Sequence, residues 1–139
     1  METKVTWKGS MAFSGLGPSG VAIPMDSSLE ENGQNSGARP MELIAMGMAG
    51  CTGMDVISIL RKKQQSVTAF EINVQADRAA EHPRKFIKIG IEYVVTGHAV
   101  DPAAVQRAVE LSETKYCSAM ATLRPGVPIE SKITILEAK

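Results

Sequence analysis

The sequence predicts an α+β domain with the element order βββ-α-ββ-α-β. Three observations carry this. Short alternating stretches, KVTWKGSMAF and VAIPM, open the chain. A long apolar segment begins at Pro40, where proline suits the first position of a helix. Two more alternating segments follow it, and then a second helical pattern opened by Asp101-Pro102 and a closing strand. Strands grouped together, with helices between the groups, give an α+β arrangement.

Lys4 to Phe13 alternates around Gly9-Ser10 and reads as a hairpin. Val21 to Met25 supplies a third strand. Asp26 to Ala38, DSSLEENGQNSGA, is polar and glycine-rich. It is longer than most connections, which marks a mobile or functional loop. The helix from Pro40 should run to about Gln64, with Glu42 favoured near its positive end. Val67 to Asp77 and Phe86 to Gly97 read as strands joined by the turn EHPR. The second helix spans Asp101 to Tyr116, capped by Asp101, with Val105, Ala108, Val109, Ser112 and Tyr116 on its inner face. A short helical piece follows Cys117, and Pro128 to Leu136 closes the chain as a strand.

The length, 139 residues, suits one domain over residues 1–139 that buries roughly two thirds of its surface. Lys+Arg and Asp+Glu both number 15, so the net charge is zero. That balance excludes nucleic acid or an anionic membrane as a bulk partner and leaves self-association open. The start METKVTWKGS lacks the long apolar core of a signal peptide. Met41 to Leu60 has the length of a membrane span, but it carries Glu42 and Asp55. A central acid costs about 2.5–3.5 kcal/mol on insertion scales, so a buried helix of a soluble protein is expected. Two cysteines without an export signal point to a reducing cytoplasm and to a redox or catalytic couple.

The stretch MAGCTGMDVISILRKK holds the chemistry. At three- and four-residue spacing, Gly47, Cys51, Asp55 and Ser58 form one small, partly polar stripe. Leu43, Met46, Ile57 and Leu60 lie largely on another, strongly apolar side. A helix apolar on most sides is buried. Each glycine costs about 0.5–1 kcal/mol against alanine there. The cost makes sense if another backbone or a substrate approaches the stripe. Asp55 needs a partner in such a site. It either caps a loop or meets Lys or Arg, or it orients Cys51 one turn away. A carboxylate beside a thiol raises the thiol's pKa, so Asp55 alone does not activate Cys51. Cys117 stands at the start of the next helical piece. A helix N-terminus depresses a thiol's pKa, and Lys115 adds positive charge. The two cysteines form no CxxC motif, and only the fold can bring them together.

RPMELIAMGMAGCTGMDVISILRKKQQSV and RAVELSETKYCSAM resemble the OsmC/Ohr family of organic hydroperoxide reductases, closest to its YhfA-like branch, over essentially the whole chain. The resemblance implies an OsmC-like fold: an intertwined homodimer with central buried cysteine helices and two sites at the subunit interface. It implies that the peroxidatic role falls to Cys51 and the resolving role to Cys117, with Gly47, Gly50 and Gly53 admitting a neighbouring element or a substrate's apolar tail. No cofactor is expected. The chain departs from the family pattern in two places. Active reductases use an arginine from the N-terminal region, and this chain has none before Arg39. They hold it with a glutamate directly after the helix-starting proline, where this chain has Met41. The acid comes one residue later, at Glu42, turned by about 100° around the helix, which makes it a helix N-terminal acid. Lys8, Arg39 and Arg124 are the candidates for a substitute cation.

Two functions fit. One is a thiol-dependent organic hydroperoxide reductase served by an external dithiol reductant, with Cys51 and Cys117 catalytic and Glu42 and Asp55 supporting. The other is a non-catalytic homodimer that binds a small apolar ligand in the same interface pocket. Eight methionines suit either, since thioethers fit irregular apolar sites. No metal-ligand spacing is present: His82 sits in a turn and His98 follows a strand. Arg61 to Lys63 meets the negative end of the first helix. Trp7 is expected in the core or at an interface.

Overall fold

The computed structural model describes residues 1–139. The chain forms two compact units, Met1–Ile44 and Ala45–Lys139.

In the first unit, β1 (Lys4–Gly9), β2 (Ala12–Leu16) and β3 (Ala22–Met25) make an antiparallel sheet in that order. The hairpin turns where Gly9 and Ser10 both take positive φ, 106° and 48°, which glycine adopts without steric cost. Trp7 lies opposite Phe13 on the paired strands. It is 63% exposed, with its Nε1 donating to the Ser10 carbonyl at 2.8 Å. Trp7 is therefore no part of a core within the chain.

The connection expected to be a mobile or functional loop is built around one carboxylate. Asp26 is 3% exposed. Its oxygens accept from the amides of Ser27, Gln34 and Ser36 at 2.8, 3.0 and 3.1 Å, and from the Ser36 hydroxyl at 2.6 Å. The Ser36 hydroxyl, foremost, and these amides hold the Asp26 carboxyl well below the usual carboxylate range. A single 3₁₀ turn, Leu29–Glu31, lies inside this loop.

Helix α1 (Pro40–Lys62) starts at the expected proline. It stops two residues before Gln64, which takes a left-handed φ of 55° while the Gln64 and Gln65 amides bond back to Arg61 and Leu60.

In the second unit, β4 (Ser66–Arg78) and β5 (Phe86–His98) pair antiparallel, and β6 (Ile129–Glu137) joins β5 in parallel. A parallel partner needs a crossover. Helices α2 (Pro102–Leu111) and α3 (Ser118–Leu123) supply it. Along β5, Ile89, Ile91, Tyr93 and Val95 are buried at period two. Asp101 caps α2 as expected, its side chain accepting from the Ala103 amide at 2.9 Å.

Two expectations need correction. The second helix does not run to Tyr116 as an α-helix. It widens at Ser112–Tyr116 into a π turn, closed by the Cys117 amide donating to the Ser112 carbonyl at 2.8 Å. The wider turn changes the angular step per residue. Val105, Ala108, Val109 and Ser112 are buried as expected, but Tyr116 is exposed.

Helix α1 is also less covered than its apolarity predicts. One row, Met48, Thr52, Val56 and Leu60, is buried, while Ile44, Met46 and Met54 are exposed. Of the apolar side read from the sequence, only Leu60 is fully buried, because one three-stranded sheet can cover a single stripe of a helix. The helix is long and apolar enough to cross a membrane by length and composition.

Candidate functional site

Cys51 and Cys117 are neighbours within the second unit. Cys51 is half-buried on α1, and Cys117 is 3% exposed at the start of α3; both are free thiols. Burial pushes the Cys117 thiol up to about 11, and the neighbouring Cys51 thiol adds to the rise through a hydrogen bond and its charge. This reverses the sequence expectation of a depressed thiol. Cys117 does cap α3, its Sγ accepting from the Met120 amide at 3.4 Å. That helix is only six residues long, and desolvation outweighs the amide. Lys115 offers no relief, since its Nζ stands over the Tyr116 ring at 5.4 Å from the centroid.

Asp55 meets neither lysine nor arginine. Its Oδ2 accepts from the Ser112 hydroxyl at 3.0 Å. Ser112 in turn contacts Thr52 Oγ1 at 2.8 Å, and Thr52 contacts the Tyr93 hydroxyl at 2.9 Å. Tyr93 donates to Glu113 Oε1 at 3.2 Å, and Glu113 pairs with Arg124 at 3.5 Å. Burial holds the Tyr93 phenol far above its ordinary range, so it stays protonated. Thr52 follows Cys51 directly, and the Ser112 carbonyl holds the Cys117 amide. The same polar chain thus ties together the two elements that carry the thiols. π turns recur at functional sites.

The other sequence candidates are placed as follows. Glu42 accepts from the Arg39 amide at 3.0 Å, closing the first turn of α1. Arg39 donates from its side chain to the Gly37 carbonyl at 3.3 Å. Arg124 is engaged by Glu113. Gly53 has a packing reason: a Cβ there would stand 2.8 Å from Ile72 Cδ1 on β4. At Gly47 and Gly50 a Cβ would meet nothing within 4 Å, so nothing in the chain itself requires those two glycines. No group of three or more His, Cys, Asp or Glu side chains converges as a metal site would require.

Sequence reasoning named Ser112 only as a helix-face residue and missed Thr52, Tyr93 and Glu113 as site residues. A signal existed: hydroxyls at Thr52 and Tyr93 sit at positions whose neighbours in the pattern are apolar, and a buried hydroxyl requires a partner.

Comparison with known proteins places this arrangement. Residues 33–132 match the family model described as OsmC-like protein. Protein YhfA of Escherichia coli (strain K12) is 37% identical over 138 residues, 99% of this chain and 100% of that protein. The crystal structure of a hypothetical protein from Aquifex aeolicus VF5 is similar at a TM-score of 0.87 and 29% identity, covering 99% of this chain and 97% of that one. The organic hydroperoxide resistance protein OhrB of Bacillus subtilis shares the fold at a TM-score of 0.64 and 22% identity, covering 96% and 98%.

Proposed function

The chain belongs to the OsmC-like family, and on that premise we propose that it is a cytoplasmic, thiol-dependent reductase of organic hydroperoxides working as a homodimer. The observation that carries the reading is the proximity of Cys51 to Cys117. Cys51, as thiolate, attacks the terminal peroxide oxygen. An S–O bond forms, the O–O bond breaks, and the departing alkoxide takes up a proton to leave as alcohol. Cys51 is then a sulfenic acid. Cys117 attacks that sulfur, an S–S bond forms, and the S–O bond breaks with release of water. An external dithiol restores both thiols by exchange.

The high value of the Cys117 thiol suits a resolving group that stays protonated until the sulfenic acid is made. Asp55 acts at one remove: it holds Ser112 and so the turn that presents Cys117. Glu42 serves the start of α1. With no arginine before Arg39, and with Arg124 paired to Glu113, cationic activation of Cys51 is weak and turnover is slow.

The second reading is a homodimer that holds a small apolar ligand beside the cysteines without turning it over. It is favoured by the open space at Gly47 and Gly50. One assay separates the two: loss of cumene hydroperoxide with dithiothreitol, for the natural protein, Cys51→Ser and Cys117→Ser. The peroxidase reading requires turnover that Cys51→Ser abolishes. Cys117→Ser should allow one oxidation of Cys51 without disulfide formation. Equal background rates in all three leave the ligand-binding reading.

A further inference from the structure

One hydrogen bond lies between the backbones that carry the two cysteines. Thr52 follows Cys51 directly on α1, and its Oγ1 stands 2.8 Å from the Ser112 hydroxyl. The Ser112 carbonyl in turn accepts from the Cys117 amide at 2.8 Å, which closes the π turn. The path from Cys51 to Cys117 through Thr52 and Ser112 therefore contains two short hydrogen bonds and no other residue. Ser112 gives its hydroxyl proton to Asp55 Oδ2 at 3.0 Å, so the proton between Ser112 and Thr52 is the one on Thr52. Both hydroxyl residues are fully buried, where a hydrogen bond is stronger than in water. Asp55 reaches the same hydroxyl from one turn farther along α1 and is only half-buried. Thr52 is β-branched and stiff about χ1, so it fixes the spacing more tightly.

We propose that Thr52 is a positioning residue for the cysteine pair: its hydrogen bond to Ser112 holds α1 against the π turn and so sets how readily Cys51 and Cys117 join as a disulfide. The assignment rests on the reductase reading, in which that disulfide forms at every turnover. Cys51 and Cys117 are neighbours as free thiols. A disulfide draws the two sulfurs to about 2.05 Å within a narrow range of dihedral angle. Such a step tolerates little displacement, and a misplacement of about 1 Å can cost on the order of a hundredfold. Attack on a peroxide uses Cys51 on α1, whereas resolution needs α1 and the π turn in register. The Thr52 contact therefore bears on the second step.

The test uses no peroxide, so its result stands apart from the turnover assay. The full chain is equilibrated with reduced and oxidised glutathione at neutral pH. Free thiols are then alkylated, and the fraction with a Cys51–Cys117 disulfide is read by mass. Each protein disulfide formed converts one oxidised glutathione into two reduced ones, so the ratio gives the effective concentration of the pair. Thr52→Val keeps the shape and removes the hydroxyl. Ser112 keeps Asp55 and Tyr93 keeps Glu113 as acceptors, so no buried donor is left unpaired. Thr52→Ser keeps the hydroxyl and removes only a methyl group. The effective concentration should fall about tenfold in Thr52→Val and stay near the natural value in Thr52→Ser. A merely structural role gives the opposite order, since Thr52→Ser is the change that leaves a cavity. Ser112→Ala removes the contact from the other side and should show the same fall, which keeps the test valid if Thr52→Val fails to fold. Equal effective concentrations in every variant that folds overturn the proposal. So does a fall in Thr52→Ser as large as that in Thr52→Val, or a natural protein that forms no Cys51–Cys117 disulfide.

Discussion

At Cys117, burial and sequence position pull in opposite directions. Position at the start of α3 lowers a thiol's pKa, while burial raises it, and the rise to about 11 shows that burial wins. The sign of the pH effect follows. The folded value lies above the ordinary 9.0, so the folded chain holds this proton more tightly than the unfolded one. The stabilisation is fully present below the ordinary value and is lost as pH rises through the folded value. In Cys51→Ser, thiolate absorbance should report Cys117 alone. Desolvation is the larger cause and the contribution of Cys51 the smaller, so the midpoint should fall somewhat yet remain above 9.0. A midpoint at or below 9.0 would mean that Cys117 is open to water and can compete as first nucleophile.

Among the elements, the loop between β3 and α1 is organised by a single side chain. Its length reads as that of a mobile or functional segment, and three amides and a hydroxyl converge on Asp26 within it. Asp26→Asn leaves one acceptor oxygen and turns an NH₂ group toward amides, so the loop should lose order. Hydrogen exchange at Gln34 and Ser36 should speed up while β4 and β5 stay protected. The same loss should appear in the natural protein on acidification. Asp26 titrates below its ordinary value when folded, so its stabilisation is present above that value and is lost as pH falls through the folded one. Unchanged exchange in Asp26→Asn would make the Asp26 contacts incidental. The strands and helix starts were legible because each rests on local chemistry: Pro40 and Asp101 at helix starts, and period two along β5. The π turn was not, since Ser112 to Tyr116 carries no local signal that distinguishes it from one more helical turn. That Cys51 and Cys117 come together was expected only from the family resemblance, because their spacing forms no local motif. The hydroxyl chain escaped notice because Thr52 lies 41 residues from Tyr93 and 60 from Ser112, and only folding joins them.

For the whole molecule, the question is what covers α1. A 23-residue helix with mean hydropathy 1.7 over its most apolar window has one buried stripe, and Met54 is 73% exposed. Val5, Trp7, Phe13 and Ile23 of the first sheet are exposed as well. Isolated exposed apolar residues are ordinary, but contiguous apolar faces mark interaction sites. A charge-neutral chain adds no repulsion between copies. Gly47 and Gly50 add a second argument. Each costs about 0.5–1 kcal/mol in a helix, and no atom of the chain approaches either closely enough to justify it. A second copy lying against α1 would justify both costs at once. Light scattering should therefore give twice the 14.9 kDa chain mass at micromolar concentration. Met54→Glu places a charge on the uncovered face without disturbing the buried stripe, and should shift the mass toward that of one chain. Gly50→Ala separates two effects: in a single chain it would stabilise α1, whereas at a close helix contact it weakens association. A natural protein that runs as a single chain, or a dimer untouched by both changes, would take α1 out of the interface. The open side of Cys51 would then face solvent, and the apolar-ligand reading would need a different pocket.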